Sequence, residues 1–221
     1  SFFPLGPVLR RGGAFFIKRS FQGKKLYSAL VDAYMRKLLV EGNAIEFFVE
    51  GGRSRTGKLL SPKYGLLTMV VDASLMLGAK KVSFAPISIG YERIVEERSY
   101  VHELSGGDKT SEGVGDLIRT SSVLRSRYGR LYVQVGEVLS FDDVKREALA
   151  EQNAVHPGKT ELEPKYRRAM VQRLAHRVTY EINRVTVVTP AALVATALLA
   201  HRRRGMTHSE LRTTCERILH R

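Results

Sequence analysis

Apolar and polar side chains alternate along residues 1–141 in a way that predicts helices and strands in turn. Residues 24–39 carry an apolar side chain at every fourth position, the spacing of one helical face, and Gly42 ends this helix. The expected core-facing side chains are Leu26, Leu30, Tyr34 and Leu38. Residues 44–49 are rich in Ile, Phe and Val, so we expect them to form a mostly buried strand.

A second helix and a second strand follow. Ser61 can act as an N-cap with Pro62 at the first helical position, so a helix should begin there and end at Gly78. Residues 82–91 are predicted to form a buried strand. Pro86 within it indicates a strand start, an edge or a kink, because proline has no amide hydrogen to donate. The order helix, strand, helix, strand indicates an α/β fold.

The rest of the chain is predicted to be mostly helical. Residues 92–116 are polar and predict a long loop, 116–128 a helix, and 131–135 a half-buried strand with alternating apolar side chains. The apolar residues of this strand are Leu131, Val133 and Val135. After Phe141 the pattern is helical to the end, with a break at residues 153–158.

Three of the C-terminal helices carry clear local signals. The core face of the first consists of Met170, Leu174, Val178 and Ile182. Thr189 and Pro190 begin the next helix, which Gly205 ends, and Thr207 and Glu210 form a capping box that opens the last. The inward side chains of the last helix are Leu211, Cys215 and Ile218.

Size and composition fit one folded protein. The chain has 221 residues, of which 43% are hydrophobic, enough for a sizeable core. We expect a layered α/β fold with a mixed β-sheet flanked by helices over residues 1–141, and a helical region over residues 142–221 that packs on it. The single cysteine, Cys215, excludes an internal disulfide and is compatible with a reducing compartment.

The net charge of +14 is concentrated at the two ends of the chain. Residues 1–63 hold 12 Lys and Arg against 4 Asp and Glu, and residues 151–221 hold 13 against 6. This distribution indicates an anionic partner: a nucleic acid, an acidic membrane surface or a phosphorylated substrate. The longest apolar run, residues 190–200, is shorter than the roughly 20 residues that a spanning helix needs.

A glycine-rich basic loop follows residues 44–49. Gly51 and Gly52 allow a sharp turn, and Arg53, Arg55 and Lys58 come within the next six residues. The guanidinium group of an arginine can donate two parallel hydrogen bonds to a phosphate or carboxylate. Here the arginines follow the end of a predicted buried strand, which is where open α/β sheets bind their ligands. The alternative is a solvated surface turn.

The same loop is a near miss for a nucleotide-binding P-loop. The spacing from Gly52 to Gly57 and Lys58 fits, but Leu59 stands where a Ser or Thr should hold magnesium. Asp72, the candidate for a second magnesium ligand, is predicted to lie inside a helix instead of at a strand end. These departures argue against an NTPase.

A second basic segment precedes the first predicted helix. Arg10, Arg11 and two glycines lead into the apolar residues 14–17, which Lys18 and Arg19 close. These cations either form a positively charged surface around a short strand or belong to the same anion site as Arg53. The local sequence leaves both interpretations open.

Three segments in order resemble the motifs of one enzyme family. They are residues 13–19 (GAFFIKR), 48–55 (FVEGGRSR) and 85–92 (APISIGYE). They resemble the second, third and fourth motifs of the glycerol-3-phosphate acyltransferases of the large bacterial membrane-bound type. The similarity continues through residues 100–104 and the strand at 131–135 into the C-terminal helices, so it covers nearly the whole chain.

The resemblance implies an acyltransferase-type α/β fold and a role in phospholipid biosynthesis. The reaction would transfer a fatty acyl group from acyl-CoA or acyl carrier protein to the 1-hydroxyl of glycerol 3-phosphate, giving lysophosphatidic acid. The acyl donor is a co-substrate, and we expect no metal and no further cofactor. We expect a peripheral location on an anionic membrane surface, at the cytoplasmic face of the bacterial inner membrane, and no nucleic-acid partner.

The resemblance also implies roles for individual residues. The expected phosphate-binding residues are Lys18, Arg19, Arg53, Arg55 and Lys58. The residues expected to shape the loop are Glu50 and Gly51. The expected pocket wall consists of Phe16 and Pro86.

The family's general base is absent from this chain. In the family a His-x4-Asp motif takes the hydroxyl proton, with the Asp orienting the imidazole. Here His102 precedes Asp108 by five intervening residues and His156 precedes Glu161 by four, and we expect both histidines at the surface. We therefore expect the motif upstream of Ser1, and we expect this chain to be the larger C-terminal part of the acyltransferase, inactive by itself.

Three alternatives remain open from the sequence. Dihydroxyacetone phosphate could replace glycerol phosphate as the acceptor, and the missing base also fits an inactive lipid-binding relative. A nucleic-acid-binding module would use Arg202, Arg203 and Arg204 between two helices as the turn of a helix–turn–helix. Cations at a helix C-terminus are also favoured by the helix macrodipole, and we rank that interpretation higher.

Overall fold

Eleven helices and strands are defined in the computed structural model, which describes residues 5–18, 21, 23–52, 54, 58–78, 81–92, 129–202 and 205–220. The helices are α1 (Leu5–Arg11), α2 (Lys25–Val40), α3 (Tyr64–Met76), α4 (Phe141–Val155), α5 (Pro164–Arg184), α6 (Pro190–Ala200) and α7 (His208–Leu219). The strands are β1 (Ser83–Phe84), β2 (Ile87–Tyr91), β3 (Leu131–Val135) and β4 (Leu139–Ser140).

The fold is α/β, as the sequence predicts. The described strands form two antiparallel two-stranded sheets, β1 with β4 and β2 with β3. Pro86 separates β1 from β2, so the predicted interruption of strand 82–91 is confirmed. The prediction that this strand is buried is wrong, because Ile87, Ile89 and Tyr91 are exposed. The carbonyl of Pro86 accepts a hydrogen bond from Gly136 N–H at 2.8 Å, which joins the break between β1 and β2 to the turn between β3 and β4.

The predicted strand at residues 44–49 is not a strand. Ile45, Phe47 and Val49 turn inward, whereas Phe48 is 77% exposed, so the segment alternates in burial and is not mostly buried. Among the described strands none pairs with it, and a strand needs a neighbour to bind its backbone groups. The prediction is wrong on both points, because an apolar run shows neither which of its side chains distant elements will cover nor whether a strand lies beside it.

Helix α2 forms where the periodicity predicts it, but with a different buried face. Val31 and Met35 are buried, while Leu26 is 86% and Leu30 is 64% exposed. The helix carries apolar side chains on two faces, and packing against Val70 of α3 selects the one that enters the core. The predicted core face is therefore wrong from Leu26 to Tyr34, and only half-buried Leu38 agrees.

The same reversal occurs in the β2–β3 sheet. Leu131, Val133 and Val135 of β3 are each more than half exposed. They pair directly with the exposed apolar residues of β2, and these pairs are Tyr91↔Leu131, Ile89↔Val133 and Ile87↔Val135. The alternation correctly predicts the strand, but its apolar side is not the buried one.

Helix α3 begins two residues later than predicted. Lys63 occupies the N-cap position without a side-chain cap, because a lysine side chain has no acceptor to offer. Its backbone N–H donates to the carbonyl of Val49 at 2.7 Å. Ser61 and Pro62 therefore precede the helix. At the other end, Gly78 has a φ of +60°, the left-handed conformation typical of a residue that follows a helix.

Most predictions for the C-terminal helices are confirmed. Met170 and Leu174 are buried on α5, and the Thr207–Glu210 capping box opens α7. Thr189 caps α6 by accepting from Ala192 N–H at 3.2 Å, although this helix ends at Ala200, well before Gly205. The predictions for residues 93–128, including His102 and the helix at 116–128, lie outside the described residues.

Among the described residues, two groups of buried side chains form the core. Cluster one joins α3, β4, α4 and α5, and its buried residues are Leu67, Val71, Leu139, Phe141, Val144, Ala148, Met170, Val171, Leu174 and Ala175. Cluster two joins α2 and α3, and its buried residues are Val31, Met35 and Val70. Cluster one contains residues from both sides of the predicted boundary at 141/142, and that division stays a prediction.

A buried carboxylate ties the end of α5 to the sheets. Glu181 accepts from the backbone N–H of Glu137 at 2.9 Å and from the guanidinium of Arg184 at 2.7 Å. The hydrogen bond from Arg184, followed by that from Glu137, lowers the pKa of Glu181. Gly136 lies against this carboxylate, since an added Cβ would approach Glu181 Cβ to 3.2 Å.

Shortening a side chain in cluster one should destabilise the protein. Leu174 is fully buried, so Leu174→Ala should lower the free energy of unfolding by about 2–5 kcal/mol. Leu199→Ala is the matched control, because Leu199 is 87% exposed, and it should change stability by less than about 0.5 kcal/mol. Urea unfolding followed by circular dichroism measures both values, and equal losses would contradict this location of the core.

The hydrogen bonds of Glu181 should make the free energy of unfolding depend on pH. A carboxylate with a lowered folded-state pKa stabilises the fold above its unfolded pKa of about 4.3, and this contribution is lost as the pH falls through the folded value. The difference in unfolding free energy between wild type and Glu181→Gln should therefore be largest near neutral pH and shrink in acid. Glu161→Gln, which removes an exposed carboxylate, should stay close to wild type at neutral pH. A difference for Glu181→Gln that grows in acid would contradict the assigned role.

Candidate functional site

The three segments that resemble family motifs meet on cluster two. Ile17 from the first segment, Phe47 from just before the second and Phe84 from just before the third pack against its buried residues. Each of these side chains lies one to three residues before a residue of the predicted site. The core thus brings together segments that are far apart in the sequence.

The basic loop is closed at its base by two hydrogen bonds. Lys63 N–H donates to the carbonyl of Val49 at 2.7 Å, and Leu60 N–H donates to Glu50 Oε2 at 2.8 Å. Gly51 has a φ of +63°, and an added Cβ would lie 2.9 Å from Lys63 Cγ, so only glycine fits this turn without a shift. The two ends of the loop, at residues 49–50 and 60–63, are therefore held together.

The cations expected in this loop are only partly described. Lys58 is exposed near the closed base of the loop. Arg53 and Arg55, together with Arg19, lie outside the described residues. That their guanidinium groups converge on one phosphate stays a prediction.

Lys18 is fixed by Tyr27 at the start of α2. The backbone N–H of Lys18 donates to the Tyr27 hydroxyl at 3.0 Å, and its ammonium nitrogen lies 5.1 Å from the centre of the Tyr27 ring. An ammonium group at this distance over an aromatic face is attracted to the ring. Phe16 is half exposed, and the guanidinium carbon of Arg10 lies 5.9 Å from its ring centre.

The third segment contributes two buried side chains, Pro86 and Ser88, and a carboxylate that joins two strands. Pro86 is fully buried, and its place in a pocket wall stays a prediction. Glu92 accepts from Arg130 N–H at 3.0 Å and from the Tyr132 hydroxyl at 2.9 Å. The hydrogen bond from Arg130, followed by that from Tyr132, lowers the pKa of Glu92 and ties the end of β2 to β3.

Sequence reasoning missed two residues that position the predicted site. Lys63 closes the loop through its backbone, and Tyr27 holds Lys18 through its hydroxyl and ring. Neither has a local sequence signal, because each acts on a partner at least nine positions away. A shallow depression between α4 and α5, lined by residues 158–164, contains none of the predicted site residues.

Two family models match the chain, one on each side of residues 91–99. Residues 1–90 match the acyltransferase family, and residues 100–221, more than half of the chain, match the glycerol-3-phosphate acyltransferase C-terminal region. The chain belongs to the glycerol-3-phosphate acyltransferase family. The family predicted from the three motifs is therefore confirmed.

Two bacterial relatives support this assignment. A glycerol-3-phosphate acyltransferase of Pseudomonas putida is 38% identical over 210 residues, which cover 94% of this chain and 25% of the relative. One of Xanthomonas campestris is 40% identical over 208 residues, which cover 94% of this chain and 23% of the relative. The chain spans about a quarter of the length of the curated relatives it matches.

Weakening the bond between Glu50 and Leu60 should loosen the loop. Glu50→Gln replaces a charged acceptor with a neutral one, so the Leu60 amide should exchange with solvent about tenfold faster. Amide exchange measured by NMR at neutral pH tests this. Glu46→Gln is the matched control, because Glu46 is an exposed carboxylate four residues earlier. An unchanged rate at Leu60 in Glu50→Gln would show that this carboxylate does not hold the loop.

Proposed function

We propose that this chain supplies the acceptor-phosphate site of a glycerol-3-phosphate acyltransferase of phospholipid biosynthesis. The enzyme would transfer a fatty acyl group from acyl-CoA or acyl carrier protein to the 1-hydroxyl of glycerol 3-phosphate. Family membership supports this reaction. The observation that carries the assignment of the site is the basic loop held closed by Glu50 and Lys63.

The chemistry of the loop suits a phosphate monoester. Its three cations offer up to two guanidinium forks and one ammonium, and a fork binds two phosphate oxygens at once. Closing the loop before the substrate arrives lowers the entropy lost on binding. Lys18, on the neighbouring segment held by Tyr27, would add a further positive charge.

The proposed division of labour separates binding from proton transfer. This chain would hold the phosphate, so that the 1-hydroxyl of the acceptor points at the thioester carbonyl. A His-x4-Asp pair, which this chain does not contain, would take the hydroxyl proton. The new ester bond would form as the carbon–sulfur bond breaks, and the thiol of the donor would leave.

The product suggests where the reaction takes place. Lysophosphatidic acid has one fatty chain and a charged headgroup, so it partitions into a bilayer. We propose a peripheral position at the cytoplasmic face of the bacterial inner membrane. The bacterial relatives and the cationic N-terminal region support this position.

Removing the guanidinium group of Arg53 should weaken binding of glycerol 3-phosphate but not of the acyl donor. The test uses a hybrid enzyme in which this chain replaces the matched 210 residues of the Pseudomonas putida relative. The hybrid carrying Arg53→Ala is compared with the hybrid without this substitution. The KM for glycerol 3-phosphate should rise roughly tenfold to a hundredfold, the equivalent of a lost charge-assisted hydrogen bond, while the KM for acyl-CoA stays unchanged. Arg53→Lys should recover part of the loss, because it keeps the charge but not the fork.

The control variant is Arg168→Ala, which removes an exposed cation from α5 and should leave both constants unchanged. An unchanged KM for glycerol 3-phosphate in Arg53→Ala would remove this arginine from the site. If Arg53→Ala instead lowered salt-dependent binding of DNA, the nucleic-acid alternative would gain support.

A further inference from the structure

An apolar surface near the N-terminus has no partner within the part of the chain that the structure describes. We call it the N-terminal face, and its exposed residues are Val8, Leu9, Phe15, Leu26, Leu30 and Tyr34. Large apolar side chains exposed together, not singly, mark an interaction site. The face lies on the side of α2 away from Val31 and Met35.

The residues of this face are continuous in space. The ring of Phe15 packs edge-on against Tyr34, with 5.2 Å between the ring centres. Ala14 N–H donates to the carbonyl of Leu9 at 2.9 Å, which joins the end of α1 to the same segment. Along α2, Tyr34 and the two leucines are spaced four residues apart and form one row about 12 Å long.

The charged residues in the first part of the face are all cationic. Residues 1–31 contain 6 Lys and Arg and no Asp or Glu. The described cations among them are exposed, and they are Arg10, Arg11, Lys18, Lys24 and Lys25. The first acidic residue, Asp32, is paired with Arg36 and does not neutralise them.

We propose that the N-terminal face docks on an anionic bilayer surface, with its apolar side chains in the interface and its cations against lipid phosphates. Peripheral proteins commonly bind membranes through apolar and aromatic side chains placed at the boundary between headgroups and acyl chains, with flanking lysines and arginines near the lipid phosphates. The inference rests on the proposed function, since it explains how an enzyme with an amphiphilic product meets its membrane. Among the described helices, none combines the length and apolar character needed to cross a bilayer.

The positive charge of the N-terminal face favours an anionic lipid surface over a second copy of the chain as its partner. Two copies pairing through this face would bring two wholly cationic regions together, and like charges repel. The exposed apolar side of the β2–β3 sheet has no comparable excess, because Glu92 and Arg130, which carry opposite charges, both flank it. Nothing there identifies an occupant.

The face also adjoins the predicted phosphate site. Lys18 lies over the ring of Tyr27, which immediately follows Leu26 on α2. Docking would therefore hold the acceptor site beside the lipid headgroups, where the product leaves.

Co-sedimentation of the 221-residue chain with lipid vesicles tests the proposal. Wild type should bind vesicles of phosphatidylglycerol and phosphatidylcholine, and it should bind phosphatidylcholine alone at least tenfold more weakly. Raising the salt concentration from about 0.1 M to about 1 M should weaken binding to the anionic vesicles, because salt screens the attraction between the cations and the lipid phosphates. Leu26→Gln with Leu30→Gln, and separately Lys24→Gln with Lys25→Gln, should each lower partitioning about tenfold.

Matched controls distinguish binding through this face from non-specific binding of exposed apolar or cationic side chains to vesicles. Leu199→Gln changes a leucine on α6 as exposed as Leu26, and Lys165→Gln with Arg168→Gln removes two exposed cations from α5. Neither control should change partitioning by more than about twofold. All the altered side chains are solvent-exposed, and unchanged circular dichroism confirms that each variant folds.

Three outcomes would overturn the docking face. They are no binding of wild type to anionic vesicles, equal loss in the face and control variants, and a change of oligomeric state in Leu26→Gln without a change in vesicle binding. The last outcome would assign the face to a second copy. Vesicle binding needs no turnover, and Arg53→Ala should leave it intact, so failure of this proposal and failure of the proposed function give different results.

Discussion

Helix α3 is the element on which the other parts of the structure depend. It is apolar around most of its circumference, and a helix of this kind must be covered on more than one side. Leu67 and Val71 pack into cluster one with α4 and α5, while Val70 packs into cluster two with α2. Its N-cap, Lys63, closes the basic loop through Val49. The position of the loop is therefore set by the same helix that joins the two halves of the core.

Features determined by neighbouring residues could be predicted from the sequence. The capping box before α7, the cap at Thr189 and the break at Pro86 each depend on contacts within a few positions, and all are confirmed. The buried faces of α2 and β3 could not be predicted, because both elements carry apolar side chains that packing with distant elements leaves outside. Periodicity shows that a face is apolar, and it does not show which apolar face is covered.

The candidate site divides along the same line. Glycines at a turn and cations beyond them are local signals, and the positive φ of Gly51 agrees with them. The contacts that give the loop its shape come from Leu60 and Lys63, and the residue that holds Lys18 is Tyr27. A side chain acting across such a distance leaves no pattern in its own segment. The residue types expected in the site follow from local signals and stay a prediction, while the residues that close the loop and hold Lys18 required the structure.

Helix α2 links substrate binding to the proposed docking face through its geometry. One side packs Val31 and Met35 into cluster two, an adjacent position carries Tyr27 beneath Lys18, and the opposite side presents Leu26 and Leu30. A helix is rigid across its diameter of about 10 Å, so these three functions keep fixed relative positions. Any surface that binds the outer side of α2 therefore sets the distance between itself and Lys18. In the proposed function, where the acceptor is soluble and the product is a lipid, that fixed distance would place the predicted phosphate site at the boundary between the two phases.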